Sequence, residues 1–187
     1  MAKGIPSRFG QCEVKEKLGE GAMATVYLGE HAGLQIPVAI KVPRFLPNGD
    51  LLEDEQYSSR FMREAQLAAR LHHPNIVRVY DAGEQDGCYF MVLQYVDGPT
   101  VKDKLDEWEC FLWHEAVPII LAICEGLQYA VDKGVIHRDI KPDNIMIDSN
   151  GVPLLMDLGL AKGDAALGAH LTQSSDVLGT PFYMSPE

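Results

Sequence analysis

The spacing of apolar residues changes once along this chain, near Gly98, and that change restricts the fold more than any other feature. Before it, apolar and polar residues alternate in short, glycine-punctuated runs. The stretch "CEVKEKLGEGAMATVYLGEH" alternates on both sides of Gly19-Glu20-Gly21, which predicts two strands joined by a glycine-rich turn. "IPVAIKV" predicts a third strand, rich in β-branched residues. A helix interrupts the strands at "SSRFMREAQLAARLHH", with Phe61, Ala65, Ala68 and Ala69 on one face and Pro74 as its stop. "NIVRVYDAG" and "GCYFMVLQYV" then add two strands around an "EQDG" turn. After Gly98 the period is helical. "VKDKLDEW" is a short amphipathic helix, and "HEAVPIILAICEGLQYAVDKG" is a long one stopped by Gly134, with Pro118 near its start. The expectation is a five-stranded sheet with one helix, a short joint near Gln94–Gly98, and a mainly helical remainder, an α+β arrangement.

Composition excludes several function classes. A net charge of −11 argues against a nucleic-acid surface, because phosphate backbones are met by clustered Lys and Arg. Cys12, Cys88, Cys110 and Cys124 show no CxxC spacing and read as reduced, mostly buried small hydrophobes, as in a cytoplasmic protein. The six histidines form no zinc-like array. No apolar signal-peptide core follows Met1, and the longest apolar run, "AVPIILAIC", is too short to cross a bilayer.

Several residues invite a chemical reading, and taken singly each has a plain alternative. Gly19-Glu20-Gly21-Ala22-Met23-Ala24 can bring backbone N–H groups close to a phosphate, or can be a glycine-rich hairpin. A dinucleotide-binding turn is excluded because a strand, not a helix, follows. Lys41 on its strand and Glu64 on its helix would ordinarily be solvated, or would pair so that the lysine is aimed at a phosphate. Asp157, entering a glycine turn, is commonly turn chemistry. "VIHRDIKPDNIMI", from Val135 to Ile147, is different, because it packs specific polar types into a short loop between apolar runs.

Together these segments resemble the catalytic domain of the eukaryotic-like (Hanks-type) serine/threonine protein kinases, in a bacterial form. The glycine loop, "VAIK", the helix glutamate, "HRDIKPDN", "DLG" and "GTPFYMSPE" occur in the family's order. The resemblance implies a bilobal fold: an antiparallel five-stranded small lobe with one helix, and a mainly helical large lobe. Residues 1–8 would be an N-terminal extension and 9–187 an incomplete kinase domain. The small lobe would span about 9–94, the hinge about 94–98, and part of the large lobe about 99–187. It also implies transfer of the ATP γ-phosphate to protein Ser/Thr hydroxyls, with Mg2+ or Mn2+ as the metal. Asp139 would orient the substrate hydroxyl, Lys141 would contact the γ-phosphate, and Asn144 and Asp157 would hold the metal. Lys41, positioned by Glu64, would hold the α- and β-phosphates beneath the loop from Gly19 through Glu20, Gly21, Ala22 and Met23. Leu18, Val26 and Ala39 would cover the adenine and Met146 would lie under it. Leu93 would be the gatekeeper, with the backbones of Gln94 and Val96 at the base edge. The metal answers an electrostatic need, since two like charges about 4 Å apart repel by roughly 4 kcal/mol even at an effective dielectric of about 20.

The same resemblance implies regulation and partners. Arg138 would meet a phosphate on the segment from Asp157 to Glu187, with Thr172 and Ser174 as acceptors, Ser175 next, and Thr180 bonding the catalytic loop. Protein substrates, and a second copy phosphorylating in trans, would be the partners; nucleic acid would not, and this stretch carries no membrane segment, while a longer parent could be anchored in a membrane beyond it. Departures from the pattern are Ala24 for the third loop glycine, Leu158 for the phenylalanine of D-F-G, and Val131 where many relatives carry histidine. The sequence stops at "SPE", which reads as a truncation that would leave the long apolar helix short of cover. The competing expectations are an inactive fragment and a nucleotide-binding pseudokinase-like module.

Overall fold

The computed structural model describes residues 6–21, 24–43 and 55–158 together with residue 183; the side chains of residues 55–60 and 64 lie outside that description. The chain divides into two compact units. Met1–His72 and Val77–Val96 form the first, and His73–Ile76 and Asp97–Glu187 form the second.

The first unit is a six-stranded antiparallel sheet in the order β1-β2-β3-β4-β6-β5, with one helix. The strands are β1 (Arg8–Phe9), β2 (Cys12–Glu20), β3 (Ala24–His31), β4 (Ile36–Pro43), β5 (Val79–Gln85) and β6 (Cys88–Gln94). Five are the expected ones. The addition, β1, has two residues, too few to show a period-2 pattern. It is pinned because Phe9 is fully buried against Phe90, with ring centroids 5.2 Å apart. One sheet face carries Tyr27, Val38, Ile40, Phe90 and Val92, which form the core with Phe9 and Cys12. Each large apolar side chain buried there contributes about 1.5–3 kcal/mol. The β5–β6 hairpin turns at Asp86 and Gly87, whose φ angles of 53° and 78° suit the two-residue turn that an Asp-Gly pair favours.

Helix α1 (Glu55–Ala68) buries Ala65 and Ala68 and sets Phe61 edge-on to Tyr89. Two expectations need correcting. Ala69 is exposed and lies past the helix end, and the helix stops well before Pro74. Its last turn tightens instead into i to i+3 bonds, Arg70 N–H to Leu67 O and Leu71 N–H to Ala68 O, which carry Leu71 into the interior.

The second unit holds α2 (Val101–Trp108), α3 (Trp113–Asp132), a 3₁₀ turn at Pro142–Asn144, and a two-stranded ladder of β7 (Ile145–Ile147) and β8 (Pro153–Leu155). Thr100 and Asp103 cap α2 reciprocally: Thr100 Oγ1 accepts from the Asp103 N–H, and the Asp103 carboxylate accepts from the Thr100 N–H. Those bonds from Thr100 hold the Asp103 carboxyl below its ordinary pKa. Helix α3 ends as expected at Gly134, whose φ is 77°, with Gly134 N–H bonding Val131 O and Val135 N–H bonding Ala130 O. Pro118 sits deeper than expected, in the second turn of α3, so it removes an intrahelical N–H rather than an already orphaned one. The cysteines also differ from expectation, because Cys12 alone is buried, while Cys110 and Cys124 are exposed. Among the described residues, no helix is long and apolar enough to cross a membrane.

Candidate active site

The first unit presents its candidate residues on the sheet face opposite the apolar core. Val26 lies across from Lys41, and Ala39 lies across from both Leu28 and Leu93. Directly opposed residues of antiparallel strands share a face. Val26, Ala39, Lys41 and Leu93 therefore project together, each half-buried, while their strand neighbours Val38 and Ile40 point into the core. Lys41 also pairs with Met91 on β6. The register of three strands thus sets a cation among apolar side chains. Leu18 is exposed on β2, just before the loop.

The glycine loop is tighter than a row of free donors. The Gly21 N–H bonds the Ala24 carbonyl at 2.9 Å, closing the hairpin around residues 22 and 23. Ala22 and Met23 themselves lie outside the described residues. Gly19 pairs with Val26 next to a bulge in β2, and Glu20 pairs with Thr25. A Cβ built on Gly19 would meet nothing within 4 Å, and its φ is not positive. The fold itself does not demand glycine there, so the space beside it is open to something else. The N–H of Gln94 is spent on the Arg78 carbonyl at 2.8 Å. Val96 is buried, at the end of the first unit. Glu64 falls on α1, with its side chain outside the described residues.

In the second unit, the loop from His137 to Asn144 is built around one carboxylate. Asp139 Oδ2 lies 3.4 Å from Lys141 Nζ and accepts from Asn144 Nδ2 at 3.2 Å. The same Nδ2 donates to the Asp139 carbonyl at 2.7 Å. Two acceptors on one side fix the Asn144 carboxamide, so its Oδ1 must face the other way. Asn144 is only 6% exposed, and among the described residues no hydrogen bond reaches that oxygen. A buried acceptor without a donor is what a hard cation would satisfy.

His137, given no role from sequence, ties this loop to the strand that leads to Asp157. Its Nδ1 accepts from the Asp139 N–H at 3.2 Å, so the ring proton sits on Nε2 and is donated to the Met156 carbonyl at 2.9 Å. Burial holds the imidazole below its ordinary pKa, which keeps this neutral tautomer in place. From the other side, the Met156 N–H bonds the Asn144 carbonyl at 2.9 Å. Arg138 and Asp157 both adopt the left-handed backbone, with φ of 65° and 56°. Away from tight turns such as that at Asp86, non-glycine residues hold that conformation where their surroundings over-determine it, a pattern that clusters at functional sites. Met146, half-buried on β7, bridges Thr100, and Leu158 is buried. Thr172 and Ser174, with Ser175 and Thr180, lie outside the described residues.

A family model described as the protein kinase domain matches residues 12–187. The chain belongs to that family. Two relatives of this kinase chain are the serine/threonine-protein kinase PknB of Mycolicibacterium smegmatis and the serine/threonine-protein kinase PrkC of Bacillus subtilis. The first is 41% identical over 179 residues, covering 94% of this chain and 28% of PknB. The second is 40% identical over 178 residues, covering 95% of this chain and 26% of PrkC. The crystal structure of the Mycobacterium tuberculosis PknI kinase domain matches with a TM-score of 0.70 at 35% identity, over 87% of this chain and 64% of that one. The kinase chain thus spans less than a third of the length of these curated relatives.

Proposed function

We propose that this chain is the ATP-dependent part of a serine/threonine protein kinase, transferring the γ-phosphate of ATP to protein hydroxyls. The observation that carries the reading is the Asp139 carboxylate held from two sides by Lys141 and Asn144, beside an Asn144 oxygen that no donor reaches among the described residues. A carboxylate fixed in this way can accept a bond from a substrate hydroxyl and orient it for attack. Lys141, already 3.4 Å from that carboxylate, would steady the charge on the transferred group.

Asn144 Oδ1 and the Asp157 carboxylate would hold Mg2+, or Mn2+ in its place. A bound divalent ion supplies charge neutralisation at the phosphates. Lys41, oriented by Glu64, would take the α- and β-phosphates, and the open side of Gly19 would let the loop through Glu20, Gly21, Ala22 and Met23 lie over them. Val26, Ala39, Leu93 and Leu18 would cover the adenine with Met146 beneath it, the backbones of Gln94 and Val96 taking its edge. Thr172 and Ser174 would accept a regulatory phosphate from a second copy acting in trans, and Arg138 would meet it. Residues 9–94 would act as the small lobe and 99–187 as large-lobe chain.

The test compares Asp139→Asn and Asp157→Ala with the parent. Asp139→Asn keeps the shape and should retain the rise in melting temperature that Mg-ATP produces, while phosphate transfer to a protein acceptor falls about 10²–10⁴-fold. Asp157→Ala should lose the metal-dependent part of that rise. Transfer unchanged in Asp139→Asn would overturn the assignment.

A further inference from the structure

Residues His73–Ile76 lie in sequence between α1 and β5 yet belong to the second unit. Their attachment there is dense. The Asn75 carbonyl accepts from the Leu155 N–H at 2.9 Å, and Asn75 Nδ2 donates to the Pro153 carbonyl at 2.8 Å. Ile76 bridges Leu155 in parallel fashion, and the His73 ring lies 5.3 Å from that of Tyr129 on α3. Gly126, also on α3, lets the helix come close, since a Cβ there would sit 3.3 Å from the Asn75 carbonyl oxygen. Asn75 is 7% exposed, so its side chain is a buried polar group committed to one strand.

That strand is β8. With β7 alone it would be half of a three-residue, two-stranded ladder, which is marginal in water. Asn75 and Ile76 supply its second neighbour. Immediately beyond β8, Met156 is gripped by Asn144 and His137, and Asp157 follows in a strained backbone conformation. Two of the anchors for this segment come from the loop from His137 to Asn144, and the third comes from Asn75.

We propose that Asn75 is a positioning residue for Asp157: by clamping β8 at Pro153 and Leu155 it fixes where the Asp157 carboxylate stands to take the metal. This rests on the reading of Asp157 as a metal ligand. Residues that orient ligands from behind typically change metal affinity by tenfold or more when removed.

The experiment measures, by thermal shift of the whole chain at fixed ATP, the Mg2+ concentration giving half of the full stabilisation. Asn75→Ala should raise that concentration on the order of tenfold, while the shift with ATP in EDTA stays as in the parent. Ile76→Val, which trims packing but keeps every bond, should lower the melting temperature without moving the Mg2+ half-point. A lower melting temperature for Asn75→Ala with an unmoved half-point makes Asn75 merely structural and overturns the proposal. Should Asn75→Ala fail to fold, Asn75→Gln, which keeps the carboxamide on a longer arm, decides by the same half-point. A parent without any Mg-ATP shift removes the nucleotide reading and this inference with it, a result distinct from an unmoved half-point.

Discussion

Adding one methyl group at Gly98 should cost this chain about as much stability as a modest core truncation. A Cβ at that position would stand 1.9 Å from the Ile147 carbonyl oxygen, 3.0 Å from its carbon and 3.3 Å from Asp148 Cα. Carbon and oxygen approach no closer than about 3.3 Å in ordinary contacts, so the two backbones must part by roughly 1.4 Å. The obstacle is main chain, which cannot swing aside as a side chain would. Parting them breaks the Ile147 N–H bond to the Pro99 carbonyl, now 2.9 Å, and strains the Thr100–Met146 bridge. Overpacking of this kind costs about 1–3 kcal/mol, and a lost backbone hydrogen bond adds about 1 kcal/mol. Stiffening of the unfolded chain by alanine returns about 0.4–1 kcal/mol. The net expectation for Gly98→Ala is a loss of about 2–3 kcal/mol, or a melting temperature lower by roughly 5–10 °C for a chain of this size. Circular dichroism melts of Gly98→Ala beside the parent measure it. A melting temperature within about 1 °C of the parent would refute the close approach and, with it, the pairing of β7 with the segment after Gly98.

Gly19 should behave in the opposite way. Gly19→Ala has open space for its methyl and no positive φ to oppose it, so the melting temperature should hold or rise slightly, while the rise produced by Mg-ATP shrinks. The pH dependence of stability should carry the mark of His137. Its folded pKa lies below the ordinary value through burial, so the unfolded chain binds more protons in the window below about pH 6.5. That contribution is complete above about pH 6.5 and is lost as the pH falls toward the folded value. Melting temperature should therefore drop less steeply between about pH 7 and pH 5.5 in His137→Phe than in the parent, whatever the variant's absolute stability. On α3, Ile120 and Leu121 are 57% and 59% exposed and share a face with Trp113 and Val117. Ile120→Lys and Leu121→Lys should move stability by no more than about 0.5 kcal/mol, while light scattering at high protein concentration shows less self-association than the parent.

What the sequence discloses and what it withholds divide along a physical line. Strand β3 and the strand along "IPVAIKV" are legible because a buried face and a more open face impose alternation within a single strand, whereas β2 is exposed along most of its length. Helices α2 and α3 are legible through their amphipathic spacing and, for α3, through Gly134, whose capping role is local; the Thr100–Asp103 cap of α2 emerges only in the structure. The loop from His137 to Asn144 is legible as a string of residue types, although the bonds that order it, such as His137 to Met156, cross some twenty residues and leave no periodic trace. Asn75 stands in plain view within "HHPNIV", but nothing near it in sequence reveals that its partners are Pro153 and Leu155. Strand β1 escapes notice because two residues have no period. Pro74 suggests a helix stop that the burial of Leu71 brings forward.

The excursion of His73–Ile76 into the second unit also decides how this chain can be cut. The polypeptide passes from one unit to the other between His72 and His73, between Ile76 and Val77, and again between Val96 and Asp97. No single break therefore yields two self-sufficient halves. A scission after Val96 would strip β8 of its neighbouring segment and strand that segment, with its buried Ile76, on the wrong piece. Two separately expressed halves divided at that point would need each other to complete one strand ladder. Reassembly of the pair would then depend on four residues carried by the half in which they do not fold.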